Sequence, residues 1–266
     1  MNRREFVQGI GCAALGVRAK GSGMPPKTHI VTLSFDDGFR RSFYRTAEIY
    51  EQFGLRACLN VIAMGHEAGF GPKVDGRPDP GITGSVLGSF EDWNRLKKRG
   101  HEVMAHSYNH ANLTQMPLEE ARADIARCAE HFERHLEGFK ASRSVYNFAY
   151  NASNPDLDAY ALTRFLVVRT GGRSPVNPVP RVSRPVRIGC ISHGPDCCDD
   201  VVEDTLNRFL DSEGGWYVFN THGLDGEGWG PMTSRFLTAL LKRLKRLDHV
   251  EVLPAGEVVL RLPPPK

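Results

Sequence analysis

The sequence predicts an α/β fold: a closed or nearly closed (β/α) barrel of seven or eight parallel strands, with helices outside. Three observations lead there. Short runs rich in β-branched and aromatic residues alternate with helical periodicities along the chain. The units follow one another from residue 27 to 266 with no linker to divide them. Polar clusters recur just after the strand candidates, where barrel enzymes build their sites.

Residues 29–35 read as the first strand, and 41–53 as a helix that Gly54 stops. A strand at 57–63 is followed by a helix at 90–99, with Gly100 behind it, and by a short strand at 102–105. The clearest helix is 117–136, where Leu118, Ala121, Ile125, Cys128, Phe132 and Leu136 recur at steps of three and four. Further strands are expected at 145–149, 165–168, 186–191, 216–220 and 250–253, and helices at 201–210 and 234–247. The segment 70–88 is rich in Gly and Pro, and a loop of that length in a compact domain is usually functional or disordered.

The 266 residues are 41% hydrophobic and 24% charged, an ordinary globular composition. A net charge of +3, from 34 basic and 31 acidic residues, gives no support to a nucleic-acid or anionic-membrane partner. No apolar run is long enough to span a bilayer as a helix. Residues 1–26 stand apart: Arg3-Arg4 is followed by Glu5-Phe6, a short apolar stretch at 7–17 and Val17-Arg18-Ala19, which suits a signal peptidase. This pattern predicts a twin-arginine export leader and linker, with residues 27–266 as one barrel in the periplasm or cell envelope. A frayed N-terminal segment on a cytoplasmic protein is the alternative. Of the six cysteines, Cys12 lies in the leader. Cys58 and Cys128 fall on apolar faces, and no disulfide framework is expected among these two, Cys190, Cys197 and Cys198.

Asp36-Asp37-Gly38 follows the first strand, His106-Ser107-Tyr108-Asn109-His110 the third, and Thr221-His222-Gly223 the strand at 216–220. Residues 147–151 and Arg169 follow two others. Asp37, His106 and His110 make a three-ligand set that leaves a position open, the pattern of catalytic rather than structural zinc sites. Histidine spacing alone is weak evidence, since His131 and His135 share it on a charged helix and read as surface or helix-packing residues.

SFDDG, HSYNH and THG, in this order and spacing, resemble the polysaccharide deacetylases, the family-four carbohydrate esterases. The resemblance runs from about residue 29 to 253, nearly the whole chain after the leader. It implies a distorted (β/α) barrel with one divalent metal, most often zinc, that removes acetyl groups from sugars. It implies Asp36 as general base, Asp37, His106 and His110 as metal ligands, His222 as general acid and the Tyr150 N–H as oxyanion donor. His193-Gly194 resembles the His222-Gly223 dipeptide but lacks its strand-Thr context. One motif departs: Asn147-Phe148-Ala149-Tyr150 stands where the family commonly has Arg-x-Pro-Tyr, so Asp36 lacks its usual arginine. Arg169 is the first candidate to replace it, and Arg143 the second. Asn147 and Arg169 are grouped with the substrate and oxyanion residues, and Trp216 and Trp229 are candidates to stack on a sugar ring, with packing as the alternative. The expected substrate is an N-acetylated polymer such as peptidoglycan or a chitin-like chain. Left open are O-acetyl xylan, a small cyclic amide, and a barrel that binds carbohydrate without turnover.

Overall fold

A computed structural model describes residues 27–74, 76–178 and 183–262. The expected export leader of residues 1–26 lies outside them. Seven parallel strands close into a barrel: β1 (His29–Phe35), β2 (Cys58–Val61), β3 (Glu102–Ala105), β4 (Val145–Asn147), β5 (Val167–Gly171), β6 (Arg187–Ser192) and β7 (Gly215–Thr221). Closure comes from β1 and β7, paired along their whole length from His29↔Gly215 to Phe35↔Thr221. The distortion lies beside that seam. Val250–Val252 occupies the lower half of β1, leaving β2 only Ser34 and Phe35 to pair with. Val176–Asn177 runs antiparallel to the lower half of β7. This strand at 250–252 is a wedge against β1, so the barrel closes with seven.

The helices are α1 (Arg40–Glu51), α2 (Phe90–Lys98), α3 (Leu118–His135), α4 (Pro155–Ala161), α5 (Asp199–Leu210), α6 (Ser234–Leu244) and α7 (Ala255–Leu260). Period-two alternation along each strand separates two apolar layers. Val31, Leu33 and Phe35 of β1 pack outward with Phe43, Ala47 and Tyr50 of α1. The other parity fills the lumen: Val145, Val167, Ile188, Trp216 and Val218 form one cluster, joined by Ala255, Val258 and Val259 of α7. That helix plugs the N-terminal mouth, because Gly256 and Glu257 donate backbone N–H groups to Glu102 at the start of β3. Toward the other mouth the lumen turns polar, with Ser34, Asn60, Asn147, Arg169 and Asn220 all buried.

Two boundaries differ from expectation in an informative way. β5 begins at Val167 and runs through Arg169 and Thr170 to Gly171. Polar side chains that end a strand in an apolar-run reading are what the upper lumen requires. Leu118 is 37% exposed, because α3 presents only Ala121, Asp124, Ile125, Cys128, Ala129 and Phe132 inward. Among the described residues Cys58, Cys128, Cys190 and Cys198 are buried thiols, Cys197 is exposed, and none is bridged.

Candidate active site

Past the end of β1 the chain turns sharply: Asp36 N–H still donates to Thr221 O at 2.9 Å, and Asp37 and Gly38 take φ of 76° and 94°. This left-handed pair explains the glycine after the two acids. It also sends the carboxylates to different partners. Asp36 is 1% exposed and reaches into the lumen, where the Arg169 guanidinium grips it with Nη2–Oδ2 at 2.6 Å and Nη1–Oδ1 at 3.1 Å. Asn60 Nδ2 adds a bond to Oδ1 at 2.7 Å. Burial alone would raise the Asp36 carboxyl, but Arg169 overcomes it and holds it below the ordinary carboxylate value.

Asn147 and Arg169 are register partners on the parallel strands β4 and β5. The cation therefore arrives at the same height as residue 147 from one strand over. Arg143 is exposed in the turn before β4. Asn147 does not line the cleft: it is buried, its Nδ2 donates to Asn60 Oδ1 and Ala105 O, and its carbonyl lies 3.0 Å from His106 Nδ1. Arg169 is likewise fully buried beneath Asp36 and out of substrate reach. Both support the site from below, because neither side chain reaches the cleft wall.

Asp37 takes the other direction. Its Oδ1 lies 3.3 Å from His106 Nε2 and 3.2 Å from His110 Nε2, yet it makes no hydrogen bond. A buried carboxylate oxygen without a partner is costly unless a cation compensates it. Burial would raise Asp37, and the neighbouring His110 and His222 hold it well below its ordinary value instead. Ligand atoms of Asp37, His106 and His110 all lie within 4.8 Å of one another. With His106 Nδ1 committed to Asn147 O, its Nε2 remains available as a ligand. Two imidazoles, one carboxylate and an orphaned oxygen at their centre fit a divalent cation with an open coordination position.

His222 follows β7 in a turn that only glycine completes, since a Cβ on Gly223 would lie 2.1 Å from Glu227 O. Its buried Nδ1 has no hydrogen-bond partner, and its ring meets Trp229 edge-on at 5.5 Å. Burial lowers its pKa, against the pull of Asp37 and Asp36. The cleft over these groups, of about 390 Å³, is walled by Pro80, Gly81, Ile82 and Trp229 and carries Asn151, Ser192 and Asn220 as neutral polar groups. Asn151 Nδ2 donates to Asn220 Oδ1 at 3.0 Å. Tyr150, 38% exposed with φ 55°, stands at the rim.

Trp216 is not at the cleft. It is fully buried low in the lumen, where its Nε1 donates to Thr32 Oγ1 at 2.9 Å. It sits near the N-terminal end of β7, and only the other end faces the site. His193 is exposed on a loop beside Gly230 and does not line the cleft. His131 and His135 pack ring to ring at 4.4 Å beside Phe90, away from the acids. Asn151 closes the expected polar cluster at 147–151, whereas sequence reasoning missed Asp79, Ser192 and Asn220. Ser192 and Asn220 sit at or next to strand ends, a signal that was available; Asp79 lies in the 70–88 loop, whose length marks the segment as a whole but singles out no residue in it.

A family model described as polysaccharide deacetylase matches residues 23–163. No curated protein matches the chain by sequence. Solved structures do match its fold. A putative polysaccharide deacetylase from Mycobacterium smegmatis aligns with TM-score 0.58 at 15% identity, covering 92% of this chain and 95% of that one. The peptidoglycan deacetylase PdaC from Bacillus subtilis aligns with TM-score 0.56 at 15% identity, covering 88% and 91%. A family 4 acetyl xylan esterase from Clostridium thermocellum, solved with a cobalt ion, gives TM-score 0.56 at 15% identity over 87% and 91%.

Proposed function

The chain belongs to the polysaccharide deacetylase family, hydrolases of the amide or ester bonds of acetylated sugars, and from that premise we propose a metal-dependent deacetylase of N-acetylated sugars in a polymer such as peptidoglycan or a chitin-like chain. The observation that carries the reading is the orphaned Asp37 Oδ1 between two imidazoles, beside a second carboxylate clamped by a buried arginine. Asp37, His106 and His110 would hold the cation, with zinc the metal this donor set suits. When bound, the cation supplies Lewis acidity toward water and an acetyl carbonyl.

The chain's own groups do the rest. Asp36, kept ionised by Arg169 and Asn60, accepts a proton from water, which adds to the acetyl carbonyl. Its neighbour Asp37 cannot share that task, because it belongs to the metal cup. His222 protonates the leaving nitrogen; a pKa lowered by burial makes its imidazolium a stronger acid than a free one. The Tyr150 N–H, in its left-handed turn, stabilises the developing oxyanion, a contribution typically worth about 10²–10³ in rate. Trp229 and the Asn151–Asn220 pair line the space for a neutral sugar ring. The leader of residues 1–26 supports placing this activity outside the cytoplasm, and no helix among the described residues is long and apolar enough to cross a membrane.

The test is acetate release from N-acetylglucosamine oligomers, peptidoglycan and acetylated xylan. It compares metal-stripped protein with and without zinc, and with the Asp36→Asn and His222→Ala variants. Zinc-restored release from the N-acetylated substrates, lost in both variants, is expected. Release from xylan alone makes the protein an O-acetyl esterase; release from none overturns the reading.

A further inference from the structure

We propose that Asp79 is a positioning residue that orients the metal ligand His110 and, through Tyr150, the oxyanion donor; this rests on the functional reading above. Asp79 lies on the long loop between β2 and α2, immediately after a two-stranded ladder that pairs Lys73–Val74 with Arg77–Pro78. Its backbone N–H donates to Pro72 O at 2.9 Å, and its Oδ1 accepts the Gly81 N–H at 2.9 Å. The carboxylate is thus fixed by its own loop and 7% exposed. The second oxygen, Oδ2, is aimed at the site. It accepts the Tyr150 hydroxyl at 2.9 Å and lies 3.5 Å from His110 Nδ1.

The two histidines of the metal cup are supported unequally. Both direct Nε2 at Asp37 Oδ1. His106 Nδ1 is satisfied by a backbone carbonyl, that of Asn147. His110 Nδ1 is buried without a hydrogen bond, and the acceptor it approaches is the Asp79 carboxylate. A carboxylate behind a ligating imidazole fixes its tautomer, keeps the Nε2 lone pair on the metal side and raises its basicity. Asp79 does this from outside the strand-end motifs.

Its other contact reaches the opposite partner of the reaction. Tyr150 has φ 55°, a region non-glycine residues adopt only when the surroundings hold them there. Its ring is held on two sides: against the His110 ring at 4.6 Å, and by Asp79 through the hydroxyl. One carboxylate therefore ties the metal ligand to the residue whose N–H is assigned to the oxyanion. A displacement of about 1 Å at such a group is enough to lower a rate substantially.

The experiment titrates zinc into the chelator-stripped full chain against a chromogenic chelator, for native protein, Asp79→Asn and Tyr150→Phe. Acetate release is then measured on the reloaded proteins. Asp79→Asn keeps the size and the loop hydrogen bonds but loses the charge, and zinc affinity is expected to fall about 10–100-fold with the thermal unfolding of the zinc-free protein unchanged. Tyr150→Phe leaves the carboxylate in place, so zinc affinity stays within about threefold while kcat falls about tenfold at constant KM. Native zinc affinity in Asp79→Asn overturns the metal half, and native kcat in Tyr150→Phe overturns the oxyanion half. If Asp79→Asn does not fold, Asp79→Ser, whose hydroxyl can still accept the Gly81 N–H, takes its place in the zinc titration, and native affinity there overturns the metal half. Native protein that takes up zinc but releases no acetate overturns the functional reading and leaves the zinc comparison standing; native protein that takes up no zinc overturns both.

Discussion

Replacing Arg169 with methionine removes a buried cation and leaves its carboxylate behind. Both side chains of the Arg169–Asp36 pair are 1% exposed, and two parallel bonds at 2.6 and 3.1 Å join them. Breaking one side of such a pair costs about 3–5 kcal/mol, because the remaining charge is buried without compensation. The variant can relieve this only by protonating Asp36, and each pH unit by which that carboxyl rises is worth about 1.4 kcal/mol. The sign follows from the direction of the native shift. Asp36 lies below its ordinary value, so the native pair contributes stability above the unfolded value of 3.8, which is lost as pH falls through the lower native value. The stability gap between native protein and Arg169→Met is therefore wide at pH 7 and narrows under acid. The acid limb of acetate release moves to higher pH in the variant, since its base is protonated over more of the range. Denaturant unfolding at pH 7 and at pH 5, with a pH–rate profile, reads both effects. The double variant Asp36→Asn/Arg169→Met recovers much of the stability without activity, giving a coupling free energy of about 2 kcal/mol or more. Arg169→Met within about 1 kcal/mol of native, with an unmoved acid limb, refutes the assignment.

Other perturbations separate site from scaffold. Trp216→Phe deletes the buried Nε1–Thr32 bond and is expected to lower stability by about 1–3 kcal/mol with KM unchanged, whereas Trp229→Ala raises KM with little loss of stability. Denaturant curves and saturation kinetics on both variants check this. Burial pushes Asp124, on α3, up to about 6 from 3.8, with Tyr108 N–H, Arg127 and Asn109 opposing. That group's contribution is present below about pH 4 and lost as pH rises to about 6, amounting to about 3 kcal/mol. The Tm difference between native and Asp124→Asn should therefore shift in the variant's favour over that interval. Dialysis against a chelator abolishes acetate release and zinc restores it, while Asp36→Asn still takes up zinc with near-native affinity; both are read by metal analysis beside the assay.

Much of this was legible in the sequence because periodicity and polar punctuation report local geometry. The first strand, the strand at Glu102–Ala105 and the run of α3 follow directly from alternation and from three-and-four spacing. The helices α4 and α7, of 7 and 6 residues, are too short to show a periodicity, although Asn154 before Pro155 is a cap signal and its side chain does accept the Leu157 N–H. The site was legible where its residues sit at strand ends in a fixed order. It was not legible where support comes from a neighbour in space. Trp216 illustrates the limit: proximity to His222 in sequence puts it six residues lower on the same barrel wall, facing the lumen. Asp79 illustrates the reverse, being far from every motif and 3.5 Å from a candidate metal ligand.

Asp37, Ser107, His110, Tyr150 and Asn151, all non-glycine residues with positive φ, gather at one end of the barrel. Each left-handed L-residue is disfavoured by about 1–2 kcal/mol relative to an ordinary conformation. This gathering bears on heat tolerance and on engineering. Gains in Tm from glycine at these positions would come from the mouth of the barrel and would be taken out of turnover, since the same backbone sets the carboxylate, imidazole and amide directions. Selection for a hardier version of this protein should therefore leave these five positions alone and accumulate changes in the helical layer and at the plugged end around Glu102 and α7, where geometry and chemistry are uncoupled.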